Sequence, residues 1–256
     1  MSDTKLREMV RKHVARVYNF CSRMTLESGE AMDAVYGAFA RAAVTPSLPT
    51  EERELSQWLL RRACELLAPR LAPLPEVDFD LLDETLRSEA TRTGEVRSLT
   101  NPQREFLLWE LKQGCMTSVA NCLPPAERVA FVLSSVMGMS DEEGARTLAI
   151  KESAFKVRLS RARKKVADYL APRCEHVDPR NPCHCPSRIG IALSKGFIAP
   201  PPRSEVSLRL RSSRPFEETP RASDAVDIFR TLPEPEPPAP LIARLEAALA
   251  TGTWRE

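Results

Sequence analysis

The stretch from Ser140 to Lys165, SDEEGARTLAIKESAFKVRLSRARKK, leaves the chain little choice of local structure. Ser140, with Glu143 three residues on, forms a capping box. Its hydroxyl and carboxylate each satisfy a backbone amide left orphaned at a helix start. Ala145, Leu148 and Ala149 then share one face of that first helix. Ile150 closes a tight joint, and Phe155, Leu159, Ala162 and Val166 recur at helical spacing down a second helix. From Lys151 to Lys165 there are seven Lys/Arg residues against one acid, Glu152. Two short helices with a tight joint, the second cationic, predict a helix-turn-helix.

Basic residues on a helix usually form no more than a solvated face. Here a capped helix, a short turn, an apolar stripe and a nearly unopposed positive face coincide, and together they point to DNA. Lys156, Arg158, Arg161, Arg163, Lys164 and Lys165 supply charge that neutralises phosphates, an attraction that weakens as salt rises. Base reading falls to the first turns of the second helix, where Glu152, Ser153, Ala154, Lys156 and Val157 reach base edges in a major groove. Arg158, Ser160, Arg161 and Lys164 extend that face.

With 37 Lys/Arg against 35 Asp/Glu, the net charge is only +2 over 256 residues, so any nucleic-acid surface is local. The length suits two small domains with tails. No apolar run approaches the roughly 20 residues that span a bilayer. MSDTKLREMVRKHV lacks the apolar core of a signal peptide, and a cytoplasmic protein is expected. Its seven cysteines then stay reduced unless they bind metal or sense oxidants. Cys21, Cys64, Cys115 and Cys122 sit among apolar neighbours as small core residues. No nucleophile or acid–base constellation is present, so no enzyme activity is expected.

The spacing predicts an all-α chain. Val10, Val14, Val17, Tyr18 and Cys21 stripe a first helix, and Met32, Val35, Tyr36 and Phe39 a second, with the break at Ser28-Gly29. A third runs from about Glu51 to Leu67, with Leu55, Trp58 and Leu59 facing inwards and glutamates in its first turn. Residues 1–68 thus make one helical domain. Residues 69–101, rich in proline and then in Asp78, Asp80, Asp83 and Glu84, read as a tether with one short helix. Residues 102–171 form a second helical domain, interrupted weakly at Gly114, firmly at Leu123-Pro124-Pro125, and again at Gly138. Residues 172–190 hold a Cys/His loop. Of the 22 prolines, 14 lie from Pro172 onwards, so residues 191–256 are expected to be mostly disordered, with a short amphipathic helix at 241–249.

The block LPPAERVAFVLSSVMGMSDEEGARTLAIKESAFKVRLSRARKKVADYL resembles region 4 of an extracytoplasmic-function (ECF) sigma factor of the sigma-70 family. The likeness rests on Leu123-Pro124, Glu127-Arg128, Phe131, Gly138-Met139-Ser140, Glu142-Glu143, Ala145, Leu148, Ile150, Lys156, Arg158-Leu159 and Arg161-Ala162-Arg163. It implies binding to the upstream (minus-35) promoter element and to the polymerase flap. HVARVYNFCSRM, DAVYGAFARA and WLLRRACELL are similar to that family's region 2. By that resemblance Asp33, Tyr36, Phe39 and Arg41 face the polymerase clamp, while Trp58, Arg61 and Arg62 lie near melted promoter DNA. Core RNA polymerase and promoter DNA are the implied partners, and an anti-sigma factor a further one. Three features depart from the pattern. Tyr36-Gly37 stands where a polar and an acidic residue are usual, Gly144 replaces a bulky apolar residue, and the basic tail after the third helix is thin.

RCEHVDPRNPCHCPSR, from Arg173 to Arg188, gathers Cys174, His176, Cys183 and Cys185 within twelve residues. These four donors suffice for a tetrahedral zinc (or other thiophilic metal) site if the DPRNP turn folds the halves together. His184 is a spare ligand. A metal-free thiol loop and a redox pair of Cys174 with Cys183 or Cys185 are the alternatives. Two other functions stay open beside the sigma-factor reading: a helix-turn-helix regulator acting without polymerase, and an interaction protein with a degenerate DNA module.

Overall fold

The structure, a computed structural model, describes residues 3–71, 78–87, 101–194, 196–199 and 224–254. The helices are α1 (Asp3–Met24), α2 (Ser28–Val44), α3 (Glu52–Leu67), α4 (Phe79–Arg87), α5 (Asn101–Asn121), α6 (Pro125–Phe131), α7 (Asp141–Leu148), α8 (Glu152–Leu170), α9 (Cys185–Ser194) and α10 (Ala239–Thr251). A π-helical turn, Val132–Val136, extends α6, and a 3₁₀ turn, Ala225–Thr231, precedes α10. No strand occurs among the described residues; the one β contact there is an isolated bridge between Cys174 and Cys183. The chain is all-α, as its spacing predicts. Among the described residues no helix is long and apolar enough to cross a membrane.

The chain divides into two compact units, and the division falls inside α8, after Ala162. The first holds Met1–Glu76, Leu123–Ala162 and Glu234–Glu256. Its core joins Phe20, Met24, Phe39, Leu59 and Leu60 from α1–α3 with Leu133, Ala145, Phe155 and Leu159 from the later block. Leu241, Leu245 and Leu249 of α10 are buried in the same cluster. Arg128 is buried and donates from Nη1 to the Met24 carbonyl (2.9 Å) and from Nη2 to that of Leu123 (3.2 Å). A terminal carbonyl of α1 thereby gains a partner. Gly37 lies where α2 meets α3: a Cβ there would stand 2.9 Å from Leu66 Cδ1. The unusual glycine thus permits a close helix approach.

The second unit holds Val77–Cys122 and Arg163–Pro233. Phe106, Leu107, Leu108 and Trp109 of α5 pack on Ile189 and Ala192 of α9 and on Ile198. Arg173 grips Asp83 of α4 with two 2.7 Å hydrogen bonds, and Phe79 stacks on Tyr169 at 4.7 Å.

Several boundaries differ from the expected ones. The break between α1 and α2 falls before Ser28, where the Glu27 amide donates to Thr25 Oγ1 and the Thr25 hydroxyl to Glu30. Gly114 does not interrupt α5; nothing lies within 4 Å of where its Cβ would be. The expected tether contains α4, which is packed within the second unit because Asp83 has found Arg173. The expected 241–249 helix is longer and ends at Gly252, whose φ of 66° suits glycine. Residues 72–77, 88–100, 195 and 200–223 of the tether and tail lie outside the described residues.

Candidate nucleic-acid interface

The helix-turn-helix forms as the sequence predicts. At the start of α7 the Glu143 amide donates to Ser140 Oγ (3.2 Å), and the Ser140 amide to Glu143 Oε2 (2.9 Å). Glu143 also accepts from Arg53 of α3, at 2.8 Å and 2.7 Å. One carboxylate therefore caps α7 and ties it to α3. The Ser140 backbone amide, then its hydroxyl and Arg53, hold the Glu143 carboxyl below its usual range.

The joint has a feature the sequence did not signal. Ala149 adopts φ 52°, ψ 43°, the left-handed conformation usually left to glycine. The Ala149 amide reaches the Arg146 carbonyl (3.1 Å) and the Ile150 amide that of Ala145 (3.0 Å). This pair is a Schellman ending. It turns the chain sharply and sets the angle of α8.

The contact between the two helices explains Gly144. A Cβ on that residue would lie 2.2 Å from Phe155 Cζ. The aromatic ring of α8 rests on the bare backbone of α7, so a bulky residue at position 144 is excluded by packing. The glycine is a close-approach site, not a defect in the first helix.

Along α8 the apolar stripe Phe155, Leu159, Ala162 and Val166 is buried. Glu152, Ser153, Lys156, Val157, Ser160, Arg161 and Lys164 are exposed, while Ala154 and Arg158 are half-buried. Val157 is 50% exposed on this otherwise polar face. Lys156 pairs with Glu152 (2.6 Å), which raises its pKa, and Lys164 with Asp168 (2.7 Å). Exposed pairs of this kind hold their partners weakly, so both lysines are readily released from them.

The other expected residues are placed less simply. Trp58 is half-buried with Arg62 over its ring at 5.2 Å, and Arg61 and Arg62 both pair with Glu65. Phe39 is fully buried and cannot touch a partner; its role is to anchor α2. Tyr36 is also buried, beneath α10. The Arg244 guanidinium lies 3.9 Å from the Tyr36 ring centroid and donates to Asp33 (2.7 Å), and Trp254 packs on Tyr36 at 5.6 Å. Of the four expected polymerase contacts, Asp33 and Arg41 are exposed.

The DPRNP turn does fold the cysteine loop back. The Cys183 amide donates to the Arg173 carbonyl (3.0 Å), and the Glu175 amide to that of Cys183 (3.1 Å). Asn181 Nδ2 braces the turn against the Ala171 and Cys174 carbonyls at 2.7 Å and 3.0 Å. The donors that converge are Glu175, His176 and Cys185, within 4.8 Å of one another. Cys174 and Cys183, expected among the ligands, stand outside that group; their backbones form the isolated bridge and their thiols are free. Glu175 was missed because only sulfur and imidazole donors were weighed. Burial pushes the Cys174 thiol up to about 11, the Cys115 thiol up to about 12, and His176 down to about 4.

A sequence profile described as sigma-70, region 4 matches residues 113–166, which run from the end of α5 into α8. The ECF RNA polymerase sigma factor SigE of Mycolicibacterium smegmatis is 26% identical over 166 residues, 64% of this chain. The match spans 61% of that relative, less than two-thirds of its length. No solved structure matches the chain.

Proposed function

We propose that this chain, a member of the extracytoplasmic-function branch of the sigma-70 family, is a promoter-recognition subunit of RNA polymerase whose α8 reads the minus-35 element. A role in transcription follows from its region 4 and its ECF relative. The observation that carries the finer reading is the exposed cationic face of α8, set at a fixed angle by the Schellman joint and the Phe155–Gly144 contact.

Ser153, Lys156 and Val157 meet base edges from the first turns, the Val157 side chain suiting a thymine methyl. Arg161, Lys164 and Lys165 meet phosphates further along. Asp33 and Arg41 contact the polymerase core. Trp58, Arg61 and Arg62 lie towards melted DNA, with the tryptophan as a stacking surface once Arg62 moves. The protein works in the cytoplasm beside its polymerase.

A second reading, a regulator that binds DNA without polymerase, is favoured by one observation: α10 covers Tyr36 and engages Asp33. Mixing the full chain with core polymerase on a sizing column separates the two. Co-elution supports the sigma-factor reading. Separate elution, with DNA binding intact, leaves the regulator.

A further inference from the structure

We propose that Glu175, His176 and Cys185, with a thiolate from the surrounding cysteines, form a four-coordinate site for a thiophilic divalent ion of the zinc class. The triad is drawn from the two limbs of one loop, Cys185 opening α9. Its donor atoms lie within 4.8 Å of one another. The decisive distance is that between Cys185 Sγ and His176 Nε2, 3.6 Å. Zinc bonds of about 2.3 Å to sulfur and about 2.0–2.1 Å to nitrogen, at tetrahedral angles, place those two atoms roughly 3.5 Å apart. The pair already spans one edge of the coordination tetrahedron.

The supports of each ligand fit the same role. Glu175 accepts from the Cys185 amide and, through its other oxygen, meets His184 Nδ1 at 2.8 Å. His184 thus orients the carboxylate as an outer partner rather than as a ligand. Cys115 of α5, Cys174 and Cys183 lie outside the 4.8 Å group but near enough for their charges to act on Cys185. One of them, by turning its side chain inwards, supplies the fourth position, and Cys115 in that place would make the ion a clasp between α5 and the loop.

A second observation points to an anionic centre. Lys112, one turn before Cys115, is 1% exposed and donates to Thr231 Oγ1 at 3.0 Å. Its charge acts on Cys185, Cys174 and Glu175. A divalent ion held by Glu175, two thiolates and a neutral imidazole carries one net negative charge, of the sign that suits a buried ammonium nearby. The thiol protons leave to solvent on binding.

The test uses the full reduced chain, stripped of metal and titrated with Co(II). The proposal expects one ion per chain and a thiolate-to-cobalt charge-transfer band that Zn(II) abolishes. His176→Gln and Cys185→Ser should each lower affinity by at least about tenfold, by analogy with losses seen even for outer-shell changes. Cys115→Ser and Cys174→Ser identify the fourth ligand by the same loss. Because a variant can misfold, wild-type protein is also alkylated with and without Zn(II). Zinc-dependent protection of Cys185, with Cys64 unaffected, supports the site. Absence of the charge-transfer band in wild type, or no zinc-dependent protection of Cys185, overturns it.

Discussion

Gly144→Ala is expected to destabilise the protein, although alanine is the better helix former. In an open helical position the exchange gains about 1 kcal/mol. Here the new Cβ would lie 2.2 Å, 2.5 Å and 2.9 Å from three carbons of the Phe155 ring. Carbon contacts are favourable near 3.5–4.0 Å, so the ring must retreat by roughly 1.3 Å to reach the nearer limit. Phe155 is fully buried in the core, so its ring can retreat only by displacing its neighbours. Overpacking of that kind costs about 1–3 kcal/mol, occasionally more. With the clash distances this short the cost falls in the upper part of that range, so the clash outweighs the propensity gain of about 1 kcal/mol and a net loss of up to about 2 kcal/mol is expected. At roughly 2–4 °C per kcal/mol for a chain of this size, thermal unfolding monitored by circular dichroism resolves the change. Phe155→Leu in the same chain relieves the contact, so the double variant should recover part of the loss, with a coupling of about 0.5–3 kcal/mol. Gly114→Ala, where nothing lies within 4 Å, should instead gain stability. A rise in melting temperature for Gly144→Ala would refute the packing argument.

Ala149→Gly should stabilise the protein by up to about 1 kcal/mol in urea unfolding, since it relieves a left-handed alanine; a loss would mean the joint is held by the methyl group. Glu143→Gln should cost about 1 kcal/mol at neutral pH. The folded pKa of Glu143 is depressed, so its stabilisation is full above the ordinary value of 4.5 and lost as pH falls through the lower folded value. The gap between wild type and Glu143→Gln should therefore narrow on acidification, and a constant gap would count against a charge effect. On DNA, Arg161→Ala should weaken binding evenly across sequences and lower the salt slope by about 1, whereas Lys156→Ala should cost about 1–3 kcal/mol at one base pair. Equal affinity of both variants with wild type on every DNA tested would remove α8 from the interface. Arg244→Glu sets a carboxylate beside Asp33 and should loosen α10, raising affinity for core polymerase severalfold; unchanged affinity would show that α10 does not obstruct that surface.

Local chemistry was legible in the sequence and distant contacts were not. The capping box, the apolar stripe of α8 and its charged face all arise within a few turns, and spacing alone recovers them. Ala149 escaped because alanine carries no signal of a left-handed backbone; only the 6→1 and 5→2 hydrogen bonds around it reveal the turn. Gly144 read as a weakness because its reason, the Phe155 ring, belongs to the next helix. By spacing Tyr36 belongs to the apolar stripe of α2, in keeping with its burial, but by resemblance it faces the clamp, and residues more than 200 positions away cover it. Cys115 looked like an ordinary core cysteine until the fold set α5 beside the loop at residues 173–185. The misses at Tyr36 and Cys115 concern partners far along the chain, whereas that at Ala149 concerns a local backbone conformation that its residue type does not signal.

Run-off transcription with purified core polymerase, on DNA fragments selected for binding by this protein, tests the central claim most directly. The account predicts a discrete start downstream of the selected element when the full chain is added, absent with core alone and reduced with Arg161→Ala. Tight binding to the selected DNA without any transcript from core polymerase would contradict it.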